Sequence, residues 1–113
     1  MSLIAIRGGI LETIKGDSKS IGYKESALDH TYTTHRLTAE AGLVCYLATD
    51  GMTDQLGGSK GIALGNKRFQ ALLLEHSGQS VAQQQVLLQD RFRAYQGDLE
   101  RMDDVTVLGF RLW

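Results

Sequence analysis

The chain has 113 residues, of which 42% are hydrophobic and 22% are charged, and its formal net charge is −1. This size and composition predict one globular domain with a modest core. The interspersed charges lack the basic face of a nucleic-acid binder and the basic cluster of a membrane anchor, so we expect neither partner. No apolar run approaches the roughly 20 residues of a membrane span. Together with the single Cys45, this favours a cytoplasmic protein without disulfides.

Short β-prone runs predict a hairpin at the start of the sequence. Residues 3–7 and 10–14 flank Gly8-Gly9, a pair suited to the positive φ angles of a tight turn. Residues 31–37 are rich in β-branched and aromatic side chains and predict a third strand. Residues 43–48 are apolar at successive positions, which predicts a central strand covered on both faces.

Two helices are predicted after a glycine-rich loop at residues 57–65. Asn66 is the expected N-cap of the first helix, whose apolar positions recur at helical spacing. That apolar face consists of Phe69, Leu72, Leu73 and His76. Ser80 and Gln83 form a capping-box pattern for the second helix, which ends at Gly97. The inner face of the second helix consists of Val81, Leu88, Phe92 and Tyr95.

Residues 105–112 alternate between apolar and other side chains and predict a last strand. The order of strands, then two helices, then a strand predicts an α+β (α/β) layer architecture that is largely antiparallel. The two helices lie between the last two strands of this prediction. Because the sequence contains no internal repeat or linker, we assign residues 1–113 to a single domain.

The directions of the predicted strands bring acidic residues to one end of the sheet. Asp50 follows the central strand and Asp103-Asp104 precede the last one, so these residues meet if the two strands are antiparallel neighbours. Carboxylates at such a place share a cation, share a proton or repel each other. Oxygen-only ligands fit Mg²⁺ or Mn²⁺ better than zinc. Gly51 leaves room beside Asp50 for an ion or a phosphate.

Each of these residue pairs also has an ordinary structural explanation. Asp-Gly is a common turn and Asp-Asp a common strand cap, so either pair alone is more often structural than metal-binding. Asp54 and Gln55, a few residues after the Asp-Gly pair, either line the same pocket or cap a helix. The wider sequence context changes the odds for the Asp-Gly and Asp-Asp pairs.

Three segments come in the order and spacing of a known family. They are residues 46–55 (YLATDGMTDQ), 67–69 (KRF) and 97–107 (GDLERMDDVTV). Upstream, residues 14–17 (IKGD) and 20–23 (SIGY) look like the segment before the central strand of that family. Together they resemble the C-terminal half of a SpoIIE-like phosphatase domain, from a bacterial branch of the metal-dependent protein phosphatase 2C-like (PPM) superfamily.

The resemblance implies that Asp50 and Asp103 are catalytic metal ligands. Asp50 matches the ligand of the family's Asp-Gly turn, and Asp103 matches the ligand at the start of the last strand. Gly51 and Asp104 complete the predicted metal site, with Asp104 expected to support the ligands. The implied fold is part of a four-layer α-β-β-α sandwich, with Mg²⁺ or Mn²⁺ in a two-metal site. The implied reaction is hydrolysis of phosphoserine or phosphothreonine by a metal-activated water.

The implied substrate is a small phosphoprotein, such as an anti-sigma-factor antagonist in bacterial signalling. The family's complete domain also has an N-terminal half with a metal-bridging Asp-Gly pair, and no such element precedes Leu3. We therefore expect residues 1–113 to be the C-terminal portion of one phosphatase-like domain, inactive alone. Unpaired sheet edges would favour a homodimer. The open alternative is a non-catalytic regulatory or dimerisation module of the same fold.

Overall fold

The computed structural model describes residues 1–24, 26 and 28–113, which form a sheet with helices packed on it. The elements in chain order are β1 (Ser2–Arg7), β2 (Ile10–Lys15), β3 (Val44–Ala48), α1 (Asp50–Asp54), β4 (Leu56–Gly57), β5 (Ile62–Ala63), α2 (Gly65–His76), α3 (Val81–Gln96) and β6 (Val107–Arg111). The large sheet has the strand order β2-β1-β3-β6, and all its neighbouring strands are antiparallel. The predicted α+β class with antiparallel strands is confirmed.

The predicted N-terminal hairpin is present and turns at its two glycines. Arg7 pairs with Ile10, and Gly8 and Gly9 between them have φ angles of 54° and 76°. Residues with a Cβ rarely adopt these angles, so the glycine pair determines where the chain reverses. The turn therefore fixes the register in which β1 and β2 pair.

The predicted central strand is β3, which lies between β1 and β6 and is covered on both faces. Val44 and Tyr46 belong to one buried cluster, together with apolar side chains of the three helices. Leu43 and Cys45 belong to a second cluster, against which Leu37 packs. Burial raises the pKa of the Cys45 thiol, which therefore stays protonated in the core.

The predicted third strand at residues 31–37 is wrong. The described residues between β2 and β3 contain no strand, and within 31–37 only Leu37 is partly buried. Both edges of β1 are already paired, and the backbone N–H of Thr33 donates to the Asp17 carboxylate at 2.9 Å instead. A strand gains stability when one of its faces packs against other side chains. Residues 31–37 have no such face, so the β propensity of their threonines does not produce a strand.

Both predicted helices are present between the central and last strands, with differences at their starts. The capping box of Ser80 and Gln83 opens α3, and Gly97 ends it. Helix α2 begins at Gly65 with Leu64 as its N-cap, so the expected cap at Asn66 is wrong. Leu64 is buried among the apolar side chains under the helix, and this packing sets the start.

Three short elements were not predicted, and one predicted face differs. The glycine-rich loop contains the small hairpin of β4 and β5, and α1 follows β3 directly. Tyr95 of α3 holds the hairpin, because its hydroxyl donates to the carbonyl of Ile62 at 2.8 Å. Val81, expected on the inner face of α3, is exposed, whereas Phe92 is buried as expected. Within the described residues, no helix has the length and hydropathy that crossing a bilayer requires.

A buried polar chain ties the sheet to the connection between α2 and α3. The Tyr46 hydroxyl donates to Gln84 Oε1 at 2.6 Å, and Gln84 Nε2 donates to the Gln79 carbonyl at 2.8 Å. Arg111 of β6 donates to the carbonyls of Ser77 and Gln79 at 2.6 Å each. Burial raises the pKa of Tyr46, so its hydroxyl remains a donor across the physiological range.

Replacing Tyr46 with phenylalanine should destabilise the protein measurably. The change leaves Gln84 Oε1 buried without its donor, and an unsatisfied buried acceptor costs about 1–3 kcal/mol. Urea unfolding followed by circular dichroism measures the free energy of unfolding. The matched control is Tyr32→Phe, which removes an exposed bond to Ser20 and should cost less than about 0.5 kcal/mol. Equal losses in both variants would contradict this assignment.

Candidate metal centre

The ends of β3 and β6 meet through Thr49 and Thr106. Ala48 pairs with Val107, and the backbone N–H of Thr49 donates to the Thr106 carbonyl at 3.0 Å. In return, the backbone N–H of Thr106 donates to Thr49 Oγ1 at 3.0 Å. The strands are thus antiparallel neighbours, which is the condition under which the acidic residues were expected to meet. The segments carrying Asp50 and Asp104 adjoin the sheet at the same edge.

Asp50 begins a helix rather than occupying the predicted turn. Thr49 is the N-cap of α1, with φ −77° and ψ 160°, but its side chain makes no capping bond to the helix. The Thr49 hydroxyl donates instead to the Asp104 carbonyl at 3.3 Å. The Asp50 carboxylate is therefore in the first turn of a helix, where negative charge is favourable, and is exposed to water.

Gly51 is required for a reason that differs from the expected one. A Cβ at this position would collide with the carbonyl oxygen of Asp104 and would lie 2.9 Å from its carbonyl carbon. It would also lie 3.3 Å from the carbonyl oxygen of Asp103. The space that a side chain at position 51 would take is thus occupied by backbone. That Gly51 also leaves room for an ion or a phosphate stays a prediction. In the structure, Gly51 lets the first turn of α1 touch the Asp103-Asp104 segment before β6; we call these the two acidic segments.

Asp103 and Asp104 form a short local structure before β6. The backbone N–H of Asp104 donates to Asp103 Oδ1 at 2.7 Å, which fixes the side chain of Asp103 relative to the backbone. Both residues are exposed. Because the backbone of Asp103-Asp104 lies against Gly51, the structure brings together all four predicted site residues, Asp50, Gly51, Asp103 and Asp104.

Carboxylates of this kind suit a hard divalent cation. Mg²⁺ and Mn²⁺ prefer oxygen ligands, and Mg²⁺ commonly keeps several waters beside one or two carboxylates. Asp50 and Asp103 are exposed, and their carboxylates supply oxygen donors of this type. In the part of the chain that the structure describes, however, no three acidic, histidine or cysteine side chains form a group that could hold a metal.

Gln55 has a structural function that the sequence did not reveal. Its side chain is fully buried, and its Nε2 donates to the carbonyls of Leu56 and Glu100 at 3.0 and 2.8 Å. Its Oε1 accepts from the backbone N–H of Met102 at 3.2 Å. Gln55 thus clamps the segment before Asp103 against the end of α1, whereas Asp54 is exposed beside it. A buried amide with backbone partners has no local sequence signature.

The family comparison covers nearly the whole chain. Residues 2–113 match the family model of stage II sporulation protein E, SpoIIE. The chain belongs to the SpoIIE family. The sequence matches no curated protein.

Two solved structures resemble this SpoIIE-family chain. The SiaA-PP2C domain of Pseudomonas aeruginosa is 32% identical over 97% of the chain, with a TM-score of 0.81. The Mn-presoaked phosphatase domain of the cell fate determinant SpoIIE from Bacillus subtilis is 15% identical over 99% of the chain, with a TM-score of 0.58, and supports the fold. The chain spans 42% of the first structure and 46% of the second. Its fold is that of part of a PP2C-type phosphatase domain.

Replacing Gly51 with alanine should push the two acidic segments apart. Overpacking of a close contact costs about 1–3 kcal/mol, and here the colliding atoms belong to backbone that cannot rotate away. Urea unfolding measures the loss, and amide chemical shifts of residues 103–106 report the displacement. Gly78→Ala is the control, since a Cβ there meets open space and should change stability by less than about 0.5 kcal/mol. Unchanged shifts in Gly51→Ala would refute the contact.

Proposed function

We propose that this SpoIIE-family chain contributes Asp50 and Asp103 as metal ligands to a Mg²⁺- or Mn²⁺-dependent phosphoserine/phosphothreonine protein phosphatase. The observation that carries the proposal is the backbone contact of Gly51, the neighbour of Asp50, with Asp103 and Asp104. Membership of the SpoIIE family and similarity to the SiaA-PP2C domain support it. Retention of both aspartates argues against a decayed site.

Each residue has a defined part in this proposal. Asp50 and Asp103 would hold the cation, and Asp104 would keep Asp103 in place through its backbone N–H. Thr49 and Gln55 hold the two segments in position through bonds to backbone groups. A bound pair of Mg²⁺ or Mn²⁺ ions would supply an activated water and neutralise charge on the phosphoryl oxygens. The exposure of the edge would give a phosphorylated side chain access.

The remaining ligands would come from the rest of the domain. Because the chain spans 42% of the SiaA-PP2C structure, we propose that a longer parent protein completes the site and that residues 1–113 alone are inactive. The proposed substrate is a small phosphoprotein, such as an anti-sigma-factor antagonist, in the cytoplasm of a bacterium. Self-association stays a prediction, which the exposed Leu108 and Phe110 of β6 support.

Replacing either aspartate should abolish metal-dependent hydrolysis by the parent protein. Loss of a partner that only supports a metal ligand costs about 10–100-fold, so Asp50→Ala and Asp103→Ala should each lower kcat/KM by more than about 100-fold. The measurement is Mn²⁺-dependent release of phosphate from a phosphoserine peptide. Asp104→Asn should retain most activity, because its backbone N–H still bonds to Asp103.

The matched control is Asp90→Ala, which removes an exposed carboxylate of α3 and should leave kcat/KM unchanged. Full activity in both site variants would refute the proposal. It would favour the alternative, a non-catalytic regulatory or dimerisation module of the same fold.

A further inference from the structure

A groove of about 720 Å³ runs between helix α3 and strand β6. This volume lies within the range of ligand sites in proteins. The lining includes the buried side chains of Met52 and Phe92 and the partly buried ones of Leu88 and Val107, which we call the apolar floor. Such a floor suits the apolar face of a helix or an extended segment rather than a free ion.

The groove is rigid where it meets the sheet. Tyr46 lies at its base, and the Tyr46 hydroxyl bonds to the buried side chain of Gln84 at 2.6 Å. Gly109 lets the Tyr46 ring pack closely, since a Cβ there would lie 3.1 Å from the ring. A base held in this way has a defined shape, and a surface formed before binding lowers the cost of binding.

The charges that line the groove have one sign. Arg93 and Arg101 are its charged lining residues, and no carboxylate lines it in the described part of the chain. The Arg101 guanidinium lies over the Phe92 ring at 4.8 Å from the centroid, and its Nε donates to Gln96 Oε1 at 3.1 Å. Arg101 is thus held at the groove, and both arginines favour an acidic partner.

The groove adjoins the edge of the sheet that carries Asp50 and Asp103, which we call the acidic edge. Its lining includes Val105 and Thr106, which directly follow Asp104, and Met52, which directly follows Gly51. A segment bound in the groove would therefore continue toward Asp50 and Asp103. The groove therefore offers a bound segment apolar contact and positive charge, and it leads the segment toward the acidic edge.

We propose that the groove between α3 and β6 docks an acidic segment with an apolar face, belonging to the phosphoprotein substrate. This inference rests on the proposed function, because the docked protein is the substrate of the acidic edge. Arg93 and Arg101 select for acidic side chains, and the apolar floor binds the opposite face of the segment. Docking beside the site raises the local concentration of the phosphorylated residue.

The test uses the full-length parent protein and two synthetic fluorescent peptides. Each peptide carries one phosphoserine followed by an amphipathic segment. The segment of the acidic peptide combines leucines with glutamates, and its lysine twin has lysines in place of the glutamates. Fluorescence anisotropy measures binding, and phosphate release measures hydrolysis. Because exposed ion pairs are individually weak and the groove offers two arginines, we expect the acidic peptide to bind about tenfold more tightly than its lysine twin.

The double variant Arg93→Glu with Arg101→Glu should abolish or reverse that preference. Hydrolysis of p-nitrophenyl phosphate, which is too small to reach the groove, should stay within about twofold of the unaltered protein. The matched control, Lys15→Glu with Lys19→Glu, makes the same change in net charge at exposed positions outside the groove and should keep the preference.

Equal binding of the two peptides, or an unchanged preference in the arginine variant, would overturn the docking proposal. If p-nitrophenyl phosphate is still hydrolysed in that case, the proposed phosphatase activity stands. Loss of a dimer in the arginine variant during sedimentation, with equal binding of both peptides, would assign the groove to a second copy and also overturn it. Arginine-dependent binding without hydrolysis of any substrate would support docking and refute the proposed phosphatase activity.

Discussion

The backbone of Gly51 lies against the carbonyl group of Asp104, and most of the candidate site depends on this contact. The contact joins the first turn of α1 to the segment before β6, two regions far apart in the sequence. Thr49 reinforces it by bonding to Asp104 and Thr106. Any side chain larger than hydrogen at position 51 would separate the two regions. The carboxylates can share a cation only while they stay together.

The rest of the fold supports this edge from below. Strand β3 is buried on both faces and fixes the point from which α1 leaves the sheet. Gln55 anchors the other segment through Glu100 and Met102. The buried chain from Tyr46 through Gln84 ties the helices to the same strand. The segments that carry Asp50 and Asp103 are thus attached to buried parts of the fold, which limits how far they can move apart.

The strong sequence signals were those in which local chemistry and packing agree. The glycine pair of the first hairpin and the capping box of α3 depend on near neighbours, and both predictions are confirmed. The strand at residues 31–37 failed because its β propensity found no face to bury. Strand direction located the acidic edge, but the purpose of Gly51 and Gln55 depends on backbone groups distant in sequence. Local sequence patterns do not predict contacts between residues that are distant in sequence.

In the proposed metal site, Asp50 and Asp103 bind one cation together. Titration of the ¹⁵N-labelled chain with Mn²⁺ tests it directly, because a bound paramagnetic ion broadens nearby amide signals even when binding is weak. We expect simultaneous broadening at residues 49–52 and 102–106, with the Gly8-Gly9 turn unaffected, and its loss from both segments in Asp50→Ala. Broadening confined to one segment, or unchanged around Asp103 in Asp50→Ala, would rule out a shared cation.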